Sequence, residues 1–120
     1  MFLNEAQWQA LAGALRVLEA ELLALGLWGE VRPHDSCLNS AAPFALDTLS
    51  FEEWLQWVFL PRMAAYVASR SRPSAACNLQ PMGEEAFACL GRRKLGLLMA
   101  LGEVDRMAAP LSPAHPIQVP

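Results

Sequence analysis

No apolar run in this chain approaches the roughly 18 residues that a membrane-spanning helix needs; stretches such as Trp57 to Leu60 are far shorter. The N-terminus MFLNEAQWQALAGALRVLEAELLAL lacks the basic opening of a signal peptide, and Glu5, Arg16, Glu19 and Glu21 interrupt its apolar residues. Charge is scarce: 18% of the 120 residues carry it, and it sums to −3. With an isoelectric point near 5.3, nothing draws the chain to phosphate backbones, and direct nucleic-acid binding is disfavoured. Metal-ligand spacings are missing too. There is no C-x-x-C, H-x-x-x-H or E-x-x-H, so neither a metal nor another cofactor is expected. Neither G-x-x-x-x-G-K-S/T nor G-x-G-x-x-G occurs, which leaves the common nucleotide sites unsupported. The three cysteines, Cys37, Cys77 and Cys89, are odd in number and far apart. A disulfide scaffold needs a denser, even set, so reduced thiols and a cytoplasmic setting are expected.

What is abundant is apolar: 54% of the residues, enough for one compact domain and the opposite of a disordered chain. No segment alternates apolar and polar residues as a half-buried strand does. The spacing is helical instead. Trp8, Leu11, Leu15, Leu18, Leu22 and Leu25 recur at steps of three and four, predicting a first helix over 4–25. Asn4 and Gln7 can form a capping box, Leu3 and Trp8 a hydrophobic staple, and Gly26 a left-handed C-cap. LNEAQW at Leu3 returns as LSFEEW at Leu49, where Ser50 and Glu53 form the box and Leu49 and Trp54 the staple. The repeat reads as one start signal used twice, not as a duplication. From Phe51 to Met63 apolar residues surround most of the second helix, a central element's pattern. Pro61 should kink it, since proline cannot donate to the carbonyl of Trp57 and clashes with it. Residues 64–70 should resume the helix. A short helix over about 82–90, a break at Gly91 and a helix over 92–108 should follow. The expected fold is therefore all-α: a small four-helix bundle over 1–108, a long loop between helices 1 and 2, and a kinked central helix 2. The proline-rich stretch 109–120 should be an extended tail.

Candidate chemistry is thin. His34 and Cys37 are close enough in sequence for an imidazole to activate a thiol, but no third orienting group accompanies them, and small cysteines commonly fill packing gaps. Arg92-Arg93-Lys94 is the one basic run, and it reads as a solvated face. Asp47 and Thr48 precede the Ser50 cap, near the positive end of helix 2. Arg62 falls beside an apolar face, where a guanidinium must snorkel or find partners. A direct Asp47–Arg62 pair is out of reach, because Ser50 to Arg62 spans about 18 Å of helix at 1.5 Å per residue.

The segment PFALDTLSFEEWLQWVFLPRM resembles the signature of the YqcC-like proteins, a family of small uncharacterised bacterial helical proteins. Pro43, Phe44, Asp47, Thr48, Trp54, Leu55, Gln56, Trp57, Pro61 and Arg62 carry the likeness, with Pro33-His34 and Asn39-Ser40 upstream. The resemblance implies a helical bundle in a cytoplasmic, gammaproteobacterial setting and brings no catalytic residue. It also implies a loose association with transfer-RNA modification, since members are often encoded beside a transfer-RNA pseudouridine synthase. Two functions stay open. A non-enzymatic interaction module, binding a protein partner or itself, would account for four tryptophans on a short chain, with Trp57 as the interfacial side chain. A pocket between the 33–48 loop and helix 2 would bind a small anionic or amphipathic ligand through Arg62, Trp54, Gln56 and His34.

Overall fold

The computed structural model describes residues 4–39, 44, 48–71 and 78–109, and every regular element among them is helical. Six α-helical segments follow in order: α1 (Glu5–Ala24), α2 (Asp35–Leu38), α3 (Phe51–Trp54), α4 (Leu60–Ser69), α5 (Leu79–Ala86) and α6 (Leu95–Ala108). A π-helical turn, Leu55–Phe59, joins α3 to α4, and a 3-10 stretch, Ala88–Lys94, leads into α6. None of the described helices is long and apolar enough to cross a membrane. The expected tail at 110–120 and the Leu3 half of the first staple lie outside the described residues.

Helix α1 begins and ends by the chemistry its sequence spells out. The Asn4 side chain accepts from the Gln7 N–H at 2.8 Å, and Gln7 returns an acceptor to the Asn4 N–H at 2.9 Å. At the other end Gly26 turns left-handed, with φ 74°. Leu27 donates to the Leu22 carbonyl at 2.9 Å and Gly26 to Leu23 at 3.1 Å, the paired bonds of a Schellman motif. Between these caps Trp8, Leu11, Leu15, Leu18 and Leu22 are buried. They face α6, whose Leu97, Ala100, Leu101, Val104 and Ala108 complete the core. Helix α4 packs on another flank of α1. Helix α1 thus packs between α6 and α4, and much of α4 beyond Pro61 faces solvent.

Ser50 and Glu53 form the second capping box, and Leu49 packs with Val58 and Trp54. Pro61 neither ends the helix nor leaves a simple break. The turn before it widens so that the Leu60 N–H reaches the Leu55 carbonyl, and the helix continues to Ser69. A π turn of this kind accommodates a residue that cannot join the regular ladder.

The third helix starts at Leu79, three residues ahead of its expected onset at 82, and ends at Ala86. Asn78 makes no side-chain cap there. The Asp105 carboxylate of α6 does so instead, accepting from the Leu79 N–H at 2.7 Å and the Gln80 N–H at 2.9 Å. Such a cap, brought from 25 and 26 residues away, is invisible to local sequence reading. Gly83 lets α5 approach closely, since a Cβ there would stand 2.4 Å from Leu101 Cδ1. The break at Gly91 is real, with φ 59° and ψ −132°, a conformation open to glycine alone. The last α-helix accordingly begins at Leu95 and not at 92, the residues before it being wound as 3-10 helix.

At the foot of α1, Arg70 donates to both oxygens of Glu5, at 3.2 and 2.5 Å, and its guanidinium lies 5.6 Å from the Trp8 ring centroid. The Arg70 bond, then the Gln9 bond, holds the Glu5 carboxyl below its ordinary value. A depressed carboxylate contributes stability above the unfolded pKa and loses it as pH falls through the folded one. Because Glu5 is solvent-exposed, the effect is small and screened by salt. Arg70→Ala should raise the Glu5 titration toward the ordinary carboxylate range, with the Gln9 bond still lowering it, read by NMR with unchanged helix content. Asp105→Ala should cost about 2 kcal/mol in urea unfolding, because two partly buried N–H groups lose a charged acceptor.

Candidate functional site

The 26–31 segment leaves α1 and crosses the start of the tryptophan-rich helix, and one side chain holds it there. Gln56, in the π turn, is 6% exposed. Its Oε1 accepts from the Gly29 N–H at 2.8 Å, and its Nε2–H donates to the Gly29 carbonyl at 2.7 Å. The amide therefore satisfies both polar groups of one loop residue, as a neighbouring strand would. No buried side-chain nitrogen or oxygen among the described residues is left without a partner.

The flanking residues, Trp28 beside Gly29 and Trp57 beside Gln56, both line one groove of about 380 Å3. Its other lining includes Leu27, Val31, Ser50, Glu52 and Glu53. Two carboxylates therefore border it, and among the described residues no lysine, arginine or histidine does. Glu53 is committed to the cap, its Oε1 accepting from the Ser50 N–H at 2.9 Å and Oγ–H at 3.0 Å. Glu52 makes no hydrogen bond or ion pair through its side chain to a described residue. Both acids sit in the first turn of α3, where negative charge suits the positive helix end.

The candidate residues disperse over the molecule. Of the six that are described, Trp57 alone lines this groove. Trp54 is part of an aromatic cluster, 5.0 Å from the Phe44 ring centroid, 5.8 Å from Phe51 and 5.3 Å from Phe59. Gln56 is consumed by Gly29. His34 caps α2, its Nδ1 accepting from the Ser36 N–H at 3.1 Å. Thr48 donates its hydroxyl to the Cys37 carbonyl at 2.7 Å, tying α2 to the approach to α3. Arg62 is exposed on α4, snorkelled away from the apolar face, and pairs with no described residue. Asp47 lies outside the described residues.

His34 turns its Nδ1 to Ser36 and away from any thiol role, while the half-buried Cys37 packs against the Leu49–Val58 cluster. No group of three metal-ligating residues forms among the described residues. The basic run has a structural use: Arg93 donates to the Leu25 carbonyl at 3.4 Å, at the negative end of α1. Sequence reasoning missed Trp28 and Glu52. Trp28 sits in a loop without periodicity, and Glu52 reads as an ordinary first-turn acid.

The lock makes a discriminating pair of variants. Gln56→Ala should cost about 1–3 kcal/mol and strip the Gly29 amide of protection in hydrogen exchange, because both Gly29 groups lose their partner. Gly29→Ala should leave stability unchanged or slightly raised, since the bonds use backbone atoms and an added Cβ would meet Gln56 Oε1 at an ordinary 3.7 Å.

Comparison with known proteins places this architecture. A solution NMR structure of the Escherichia coli protein YqcC superimposes with a TM-score of 0.76 at 29% identity, covering 88% of this chain and 91% of that one. In sequence the chain is 33% identical to uncharacterised protein YqcC of Escherichia coli over 95 residues, 79% of this chain and 87% of that protein. An uncharacterised protein of Haemophilus influenzae is 42% identical over 73 residues, 61% of this chain and 69% of that protein. A tRNA pseudouridine synthase C of Pectobacterium carotovorum is 50% identical over 52 residues, 43% of this chain but only 14% of that protein. The family model DUF446, described as tRNA pseudouridine synthase C, matches residues 10–107. A helical scaffold of this shape, matched over nearly its whole length, makes the chain a member of the YqcC-like family.

Proposed function

We propose that the chain is a non-enzymatic helical interaction module whose partner is a protein, and that the partner is a tRNA pseudouridine synthase. The observation that carries the reading is apolar surface left over after the core is closed. Val17 and Leu23 on α1 are each 52% exposed, and Leu95 and Met99 on α6 are 56% and 73% exposed. Helices α1 and α6 are already packed against each other. These side chains lie outside the buried core cluster and stand where a second surface can cover them.

The choice of partner draws on the Pectobacterium carotovorum relative. There a segment 50% identical to this chain occupies 14% of a protein named tRNA pseudouridine synthase C, so the remaining 86% of that protein has no counterpart here. A segment that fills 14% of a protein named for an enzyme in Pectobacterium carotovorum, and 87% of the small protein YqcC in Escherichia coli, is best understood as an accessory part that works beside that enzyme. The module would then position or stabilise the enzyme and leave the reaction to it. Self-association is the other outcome open to the same apolar surface.

Size-exclusion chromatography with light scattering tests this with the full chain and the tRNA pseudouridine synthase C of the organism that encodes it. Co-elution at micromolar concentration is expected, and Met99→Glu should weaken it by at least about ten-fold, the effect of a charge placed in an apolar contact. Separate elution, with the chain a strict monomer, would overturn the reading.

A further inference from the structure

We infer that the groove between Trp28 and Trp57 is a recognition site for an arginine side chain presented by the partner. This deepens the interaction-module reading and rests on it, by naming the chemistry the partner must offer.

Three observations converge on a cation. The groove is lined by two tryptophans, and the indole face is the best aromatic surface for a guanidinium. Glu52 and Glu53 line the same groove, with no basic residue among its described walls. Arg32, the next residue after this 26–31 segment, is paired with Asp35 at 2.5 Å. Glu53 is held by the Ser50 cap, which leaves the Glu52 carboxylate to meet an incoming charge. At the rim, Val31 is 84% exposed and offers an apolar contact for the methylene stem of a long side chain.

The alternatives fit less well. An anion would approach two carboxylates. A neutral apolar ligand would strip water from those carboxylates without replacing it. A volume of about 380 Å3 is near the lower end of small-ligand pockets, which run from roughly 300 to 1,000 Å3. Arginine suits the site better than lysine, because its planar guanidinium can stack on an indole while its N–H groups face a carboxylate.

The site is also pre-built. Gln56 and Gly29 are the chain neighbours of Trp57 and Trp28, so the paired bonds at 2.8 and 2.7 Å fix the two walls relative to each other before any ligand arrives. Binding then orders little that is not already ordered.

The test is a titration of the full 15N-labelled chain with acetyl-Ala-Arg-Ala-amide, with the neutral citrulline peptide as its isostere. The indole Nε1–H signals of Trp28 and Trp57 should move saturably with the arginine peptide and stay in place with the citrulline one. Glu52→Gln should weaken binding about three-fold, the worth of one exposed charge pair, and added salt should weaken it further. Trp57→Phe should bind more weakly than the parent and Trp57→Ala more weakly still. Glu52→Gln and Trp57→Phe, whose backbone spectra should match the parent, guard against misfolding of the alanine variant. Equal shifts with citrulline, shifts centred elsewhere, or an unchanged affinity in Glu52→Gln would overturn the site. If the arginine peptide fails while the chain still co-elutes with the synthase, the groove assignment falls and the interaction module stands. If the peptide binds but co-elution fails, it is the choice of partner that falls.

Discussion

The amide of Gln56, bonded twice to the backbone of Gly29, is the contact on which the functional half of this molecule depends. An amide buried without partners would cost several kcal/mol of lost hydration, whereas one that meets a donor and an acceptor of the same residue repays it and fixes a geometry. Here that geometry ties the segment leaving α1 to the π turn of the second long helix. It settles where two tryptophans stand. The π turn itself is the helix's response to Pro61, and it brings Leu55, Gln56, Val58 and Phe59 into burial together.

The rest of the fold rests on two scales of capping. Asn4 with Gln7, and Ser50 with Glu53, close helix starts from within four residues. Asp105 closes α5 from across the bundle, and Arg93 meets the carboxyl end of α1 in the same manner. Local caps define where helices begin, while remote ones define which helices must be neighbours. The Escherichia coli YqcC structure shares the overall arrangement at 29% identity.

Legibility in the sequence divides along the same line. The boundaries of α1, both capping boxes, the glycine turn at Gly26 and the break at Gly91 were readable because each depends on residues within one or two turns. The start of α5 was not, because its acceptor sits on α6. Arg62, Trp54, Gln56 and His34 share a chemical type suited to a pocket and lie along one stretch of chain. Folding gives those residues separate tasks: solvent, aromatic packing, a loop lock and a helix cap. Trp57 alone reaches the groove, and its companion Trp28 comes from a loop whose path has no periodicity to read.

The sequence by itself determined an all-helical chain, its principal helix starts and the family to which it belongs, because three-four spacing, capping pairs and a run of matching residues are local properties. Only the tertiary structure decided that α1 packs between α6 and α4, that Gln56 serves Gly29, and that two tryptophans and two glutamates border one groove. Those outcomes depend on which surfaces meet when apolar faces are buried together, and contacts between residues some 25 positions apart leave no trace in the spacing of either one.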